Sequence, residues 1–146
     1  MKVTIVEDPN IKETEISIVC EKMTNEINDI VSKISAVGLT VAGKKDEETF
    51  LIPIKEIFYF ESVDGKIFFY TKTEIYEAMG KLYKIEESLK NLRFSRISKT
   101  VIANLDKMLS IRKAENSRLT ATLVNQEKLI VSRQYAEELK TRLGVK

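Results

Sequence analysis

The sequence predicts a mainly β, α+β fold, with an antiparallel β domain carrying short helices over residues 45–146 and a small β-β-α extension over residues 1–44. Three observations predict it. Short runs rich in β-branched and aromatic residues recur along the chain, bounded by turn formers. Helical spacing is confined to brief segments. No regular alternation of strand and helix is present to build a parallel sheet. With 146 residues, 43% of them hydrophobic, the chain has enough apolar material for a core.

Taken in order, Lys2–Val6 and Thr14–Cys20 read as strands separated by the turn signal Asp8-Pro9-Asn10. Met23, Ile27, Ile30, Val31 and Ile34 recur at helical spacing within Glu21–Ala36, and Gly38 stops the helix they imply. The apolar stripe of that helix has two readings: packing on the sheet, or a dimer or partner surface. Leu39–Ala42 and Thr49–Ile54 read as a hairpin about the charged turn Lys44–Glu48, with Pro53 at a strand end because it has no ladder donor. Glu56–Glu61 and Lys66–Thr71 flank Ser62-Val63-Asp64-Gly65, and Asp-Gly between aromatic runs is a strong hairpin signal.

Glu74–Ala78 follows as a strand, then Lys81–Leu92 as a short helix with Leu82, Ile85 and Leu89 or Leu92 turned inward. Further strands are expected at Phe94–Arg96, Val101–Ala103, Lys107–Lys113, Arg118–Val124 and Lys128–Val131, with a turn at Ala114–Ser117. Ser132 is the expected N-cap of a last helix that ends before Gly144. The aromatics Phe58, Tyr59, Phe60, Phe68, Phe69 and Tyr70 have the chemistry to stack on bases, but alternating strands bury such residues far more often.

The formal net charge of +2 conceals a segregation. Residues 1–80 carry 9 Lys and no Arg against 15 acids, a balance of −6. Residues 81–118 carry 10 basic and 4 acidic residues, a balance of +6. All six arginines, Arg93, Arg96, Arg112, Arg118, Arg133 and Arg142, lie toward the C-terminal end. Arginine suits bidentate contact with phosphate and guanine, so the second half is expected to face a polyanion; a solvated basic face is the competing reading.

Several function classes lack their parts. There is no His, a single Cys at position 20 and no carboxylate cluster at ligand spacing, so the usual zinc, Cys–His and Ser–His sites are excluded. Five scattered glycines form neither a P-loop nor a dinucleotide fingerprint. Neither a metal, a cofactor nor an enzymatic activity is expected. No apolar stretch approaches the roughly 20 residues that span a bilayer, and the N-terminus has no signal-peptide core, so direct membrane insertion is not expected and a cytoplasmic location is.

What remains is a binding chemistry. Phe94–Asn104, FSRISKTVIAN, sets Arg96, Ser98, Lys99 and Thr100 against an apolar run, and VSRQY at Val131–Tyr135 repeats the combination of hydroxyl and cation. Short hydroxyls beside cations, with few acids near by, suit phosphate oxygens and base edges.

From about Ile54 to Gly144 the chain resembles a LytTR-type DNA-binding domain, through EIFYFESVDGKIFFYT, LYKIEESLKNLRFSRISKTVIANLDKMLSI and EKLIVSRQYAEELKTRLG in that order. The resemblance implies elongated antiparallel sheets that read duplex DNA with loops, in a transcription regulator acting on paired sites and binding as a homodimer at least on DNA. It places Ser62–Lys66 in one major groove, with Ser62 and Lys66 as contacts, and Arg96, Ser98, Lys99, Thr100, Ser132, Arg133 and Gln134 in the next. By that resemblance Lys99 reads a base, Arg133 contacts guanine or clamps phosphate, Arg96 anchors phosphate, and Ser98, Thr100 and Ser132 serve phosphate. A plain Asp-Gly hairpin competes for Ser62–Lys66, helix capping competes for Ser132, and Asn104 is expected as a turn former.

MKVTIVEDP also resembles the opening strand and acidic turn of a phosphorylated receiver domain, but too few residues precede the DNA-binding pattern to give Glu7 and Asp8 an acidic pocket. The extension is instead similar to that of stand-alone LytTR regulators, in which a partner, often a small membrane protein, restrains the regulator. Two other classes share the basic strip: an RNA or single-strand binding β domain, and a protein-interaction module.

Overall fold

The structure is a computed structural model and describes residues 1–145. Helix α1 (Asn25–Ser35) leads into ten strands, β1 (Thr40–Lys45), β2 (Glu48–Pro53), β3 (Tyr59–Val63), β4 (Lys66–Tyr70), β5 (Ile75–Ala78), β6 (Phe94–Arg96), β7 (Val101–Asn104), β8 (Met108–Lys113), β9 (Leu119–Leu123) and β10 (Lys128–Val131). Helix α2 (Leu82–Ser88) falls between β5 and β6, and α3 (Arg133–Leu143) follows β10. The strands form a seven-stranded sheet in the order β2-β1-β5-β4-β3-β7-β6 and a three-stranded sheet in the order β10-β9-β8, antiparallel throughout.

The turns follow from residues that tolerate the left-handed region. Asp46 and Glu47 (φ 50° and 66°) join β1 to β2, while Asp64 and Gly65 (φ 51° and 79°) join β3 to β4. Both are two-residue connections, between Lys45↔Glu48 and Val63↔Lys66, and positive φ at both positions matches the strand twist. Gly43 is required for another reason: a Cβ there would lie 2.5 Å from Phe69 Cζ and 2.6 Å from Tyr76 Cβ, where β1 crosses the aromatic pair.

The centre of the large sheet is buried on both faces. Phe60, Ile67, Phe69, Phe94 and Ile102 point to one side, where α2 and the following turn cover them with Leu82, Leu89 and Leu92. Tyr59, Val101 and Ala103 point to the other, where the small sheet and α3 supply Leu119, Ala121, Leu123, Val131, Ala136 and Leu139. Alternation along β3 and β7 feeds both cores at once, which explains why these strands read as continuous apolar runs. The expected burial of aromatics holds for Phe58, Tyr59, Phe60 and Phe69, while Phe68 and Tyr70 are half-buried.

The N-terminal reading needs correction. Lys2–Val6 and Thr14–Cys20 are exposed and form no strand, and neither joins a ladder. Among the described residues, the backbone N–H bonds within 1–22 are those at the Asp8 turn, from Ile11 and Asn10. A lone two-stranded hairpin is marginal without a third strand, and among the described residues no third strand pairs with these runs. The helix forms as expected, capped by Thr24 Oγ1, which accepts from Ile27 N at 3.3 Å. Its stripe does not pack on the sheet: Asp29 and Ser32 face the domain, with Asp29 accepting from Arg93 at 3.3 Å, and Ile27, Ile30 and Ile34 belong to neither core. Residues 40–44, assigned to the extension from sequence, are part of β1 in the large sheet. Among the described residues no helix is long and apolar enough to cross a membrane.

Tyr59 and Tyr70 stack at 4.3 Å between centroids, and each phenol donates to a carboxylate, Tyr59 to Glu127 and Tyr70 to Glu61 at 2.7 Å. Burial first, and the carboxylate acceptors second, push both phenols up, Tyr70 to about 12. A raised phenol favours folding while protonated, so this stability is complete below the ordinary value of 10.0 and is lost as pH rises through about 12. Tyr70→Phe should therefore show a smaller fall in denaturant stability across that interval than wild type, measured by urea melts at each pH. Gly43→Ala should cost about 1–3 kcal/mol by overpacking, read from the same melts at neutral pH.

Candidate nucleic-acid interface

Strands β6 and β7 are joined by Ile97–Thr100, closed by Ile97 N donating to Val101 O at 3.0 Å. Two carbonyls of this short loop bind neighbouring elements. Thr100 O accepts from Ser62 N at 2.8 Å, extending the β3–β7 ladder toward the Asp64-Gly65 hairpin. Ile97 O accepts from both Ser132 N, at 2.9 Å, and Ser132 Oγ, at 3.2 Å, at the start of α3. The segments expected from sequence, Ser62–Lys66, Arg96–Thr100 and Ser132–Gln134, are thereby brought to one edge of the molecule.

The side chains on that edge divide into two groups. Lys66, Lys99, Arg133 and Gln134 are exposed, and among the described residues none of the three cations is in an ion pair. Arg96 faces inward instead, its side chain only 16% exposed. Its guanidinium donates to Ser98 O at 2.8 Å, to Lys99 O, and to Glu86 Oε1 at 2.8 Å, so the donors expected for phosphate hold the loop. The hydroxyls are also engaged: Ser98 Oγ accepts from Thr100 N at 3.2 Å and lies 3.4 Å from Thr100 Oγ1. Ser132 holds the N-cap position by backbone conformation, but its hydroxyl donates to Ile97 O and caps nothing.

Three arginines of the basic half are internal ties. Besides Arg96, Arg142 donates to Phe94 O and, at 2.9 Å, to Leu92 O, fixing the end of α3 to β6. Arg93 bridges Asp106 at 2.9 Å and Asp29 at 3.3 Å, joining the sheet to α1. The other three, Arg112, Arg118 and Arg133, are exposed. Residues Arg112, Lys113 and Arg118 are additions that sequence reading did not place in the site. The register Lys113↔Leu119↔Val131 sets the β8–β9 turn level with Ser132, and Glu115–Ser117 lies against α3. Their basic character was visible in the charge count, but only strand pairing sets the β8–β9 turn level with the start of α3. Asn104 is buried as a turn former, donating from Nδ2 to Ile57 O at 2.8 Å and accepting from Asp106 N at 3.0 Å.

An antiparallel β domain that gathers exposed cations on loops at one edge has the build of a domain that binds a polyanion. Residues 47–144 match the family described as LytTr DNA-binding domain, and the chain belongs to that family. The sensory transduction protein LytT of Bacillus anthracis is 30% identical over 126 residues, covering 85% of this chain and 50% of the relative. Its counterpart in Enterococcus faecalis is 25% identical over 140 residues, 92% of this chain and 57% of the relative. The chain thus spans about half the length of the curated relatives it matches. A solved LytTr DNA-binding domain from Bacillus cereus superposes with a TM-score of 0.68 at 23% identity, covering 72% of this chain and 96% of that one, and shares the fold.

Removing the Arg96 donors should loosen the loop rather than delete a surface charge. Arg96→Ala is expected to speed amide hydrogen exchange at Lys99 and Thr100 and to destabilise the domain by about 1–3 kcal/mol, checked by exchange mass spectrometry and urea melts.

Proposed function

We propose that this protein regulates transcription by binding duplex DNA sequence-specifically, reading the major groove with loops. The observation that supports it is the meeting of the β3–β4 hairpin, the β6–β7 loop and the start of α3 at one edge, with Lys66, Lys99 and Arg133 exposed there. In this reading Lys99 donates to guanine and Arg133 makes a bidentate contact with guanine or phosphate. Ser62 and Lys66 serve the flanking groove and Gln134 acts beside Arg133, while Arg112, Lys113 and Arg118 widen the phosphate-binding strip. Arg96, Ser98, Thr100 and Ser132 act by shaping the loops. The first turn of α3 has no side-chain cap; Tyr135 N donates to Ser132 O, which leaves the N–H groups of Arg133 and Gln134 to a phosphate. Single-strand reading is the poorer fit, because five of the six aromatics that would stack on bases are in the core or packed against it.

Lys99→Ala and Arg133→Ala should each cost about 1–3 kcal/mol on the preferred site and relax preference at distinct base pairs. The check is binding selection from random duplexes followed by titration on selected and scrambled sites; equal losses on both would remove the residue from base reading. Wild-type affinity should fall with a log–log salt slope of several units, and a flat salt titration would overturn the proposal.

A single edge discriminates poorly against a genome, so two copies occupy sites repeated about one or two helical turns apart. Inserting about five base pairs between half-sites should abolish joint occupancy in a footprint, and about ten should largely restore it.

A further inference from the structure

Arg96 stands at the root of the loop that carries Lys99, yet its guanidinium turns inward and its side chain is only 16% exposed. Two of its bonds go to neutral acceptors, Ser98 O at 2.8 Å and Lys99 O, which shape the loop but leave the charge uncompensated. The charge is met from a different element. Glu86 of α2 accepts from Nη1 through Oε1 at 2.8 Å and is, among the described residues, the one acid paired with Arg96. We infer that Glu86 is a specificity-determining positioning residue, which keeps Arg96 on the loop carbonyls so that Lys99, and not Arg96, meets the DNA. The inference rests on the base-reading role proposed for Lys99.

A guanidinium with most of its surface removed from water needs a counter-ion, and near DNA two kinds of anion compete for it: a carboxylate of the protein and the phosphates of the duplex. Which of them wins decides the kind of binding, because a phosphate contact carries no sequence information and a cation aimed at a base edge does. With Glu86 in place, Arg96 has an internal partner at each of its three nitrogens, and one of those bonds fixes the carbonyl of Lys99. Without the carboxylate the guanidinium is held by two carbonyls alone, and drawing it out to a phosphate frees the backbone beneath Lys99. The carboxylate is itself firmly placed. Leu82 and Leu89 are buried and Ile85 packs on the same core, so α2 is fixed over the large sheet and against β6. Glu87, next in the helix, has the same charge but is exposed and in no ion pair among the described residues, so position and not net charge sets Glu86 apart.

The experiment compares Glu86→Gln, Glu87→Gln, Lys99→Ala and the double variant Glu86→Gln/Lys99→Ala with wild type. Each is titrated on the site selected from random duplexes and on a scrambled duplex, over a range of salt. Glu86→Gln keeps the size of a side chain that is 45% exposed and removes its charge, so the fold should survive, as urea melts check. It should lower the ratio of selected to scrambled affinity by about fivefold or more, the lower end of what a wrong base pair costs. Affinity for the scrambled duplex should not fall, and its log–log salt slope should steepen by about one, the mark of one more phosphate contact. Glu87→Gln should leave the ratio as in wild type. On the Lys99→Ala background, Glu86→Gln should cause no further loss of preference. Equal losses on both duplexes, an unchanged ratio, or the same effect from Glu87→Gln would overturn the inference. Preference lost in Lys99→Ala but kept in Glu86→Gln would overturn this inference alone, whereas preference kept in Lys99→Ala would overturn the base-reading role of Lys99 and the inference with it.

Discussion

The loop between β6 and β7 is the joint through which the basic edge is assembled. Its two carbonyls hold the large sheet and α3 in a common frame, Thr100 O through Ser62 N and Ile97 O through Ser132. The side chain of Ile97 is fully buried in the core shared by the two sheets, so the loop is anchored from below as well as from its ends. With the backbone bound on both sides and Arg96 filling the concave side, Lys99 is carried outward on a segment with little freedom. Ordering this loop before it meets a ligand reduces the entropy lost on binding.

The same charge type performs two jobs here. Arg93, Arg96 and Arg142 are spent inside the protein, where the planar fork satisfies two or more acceptors at once, including backbone carbonyls at the ends of β6 and of the loop. Lysine, a compact cation on a flexible stem, is poorly suited to that work, and the lysines at the edge remain at the surface. Charge segregation along the chain therefore reflects both the cations left exposed at the edge and the internal ties that shape it.

Burial on both faces of β3 and β7 makes this arrangement stiff. Phe60 and Ile102 belong to one core, Tyr59, Val101 and Ala103 to the other, and the Tyr59–Glu127 bond links the large sheet to the β9–β10 turn of the small one. Because the edge loops spring from these strands, the core fixes the positions between which the β6–β7 loop makes its bonds to hairpin and α3.

Much of this was legible in the sequence. The Asp64-Gly65 hairpin, β6, β10, the start and end of α3 and the aromatic core follow from local chemistry: positive-φ turn residues, period-two alternation and a glycine at the end of α3. The three segments of the edge were legible too, as hydroxyl and cation patterns with a family resemblance. What tertiary structure alone decided was which of those cations reach solvent. Arg96 and Arg133 have the same chemistry in sequence, but Glu86 and two carbonyls lie within reach of the first, while among the described residues no acceptor engages the side chain of the second. Likewise, β-rich composition could not decide pairing at Lys2–Val6 and Thr14–Cys20, nor register at Lys113 and Arg118. Strand pairing depends on a partner distant in the chain or outside it, and a local pattern does not encode where that partner lies.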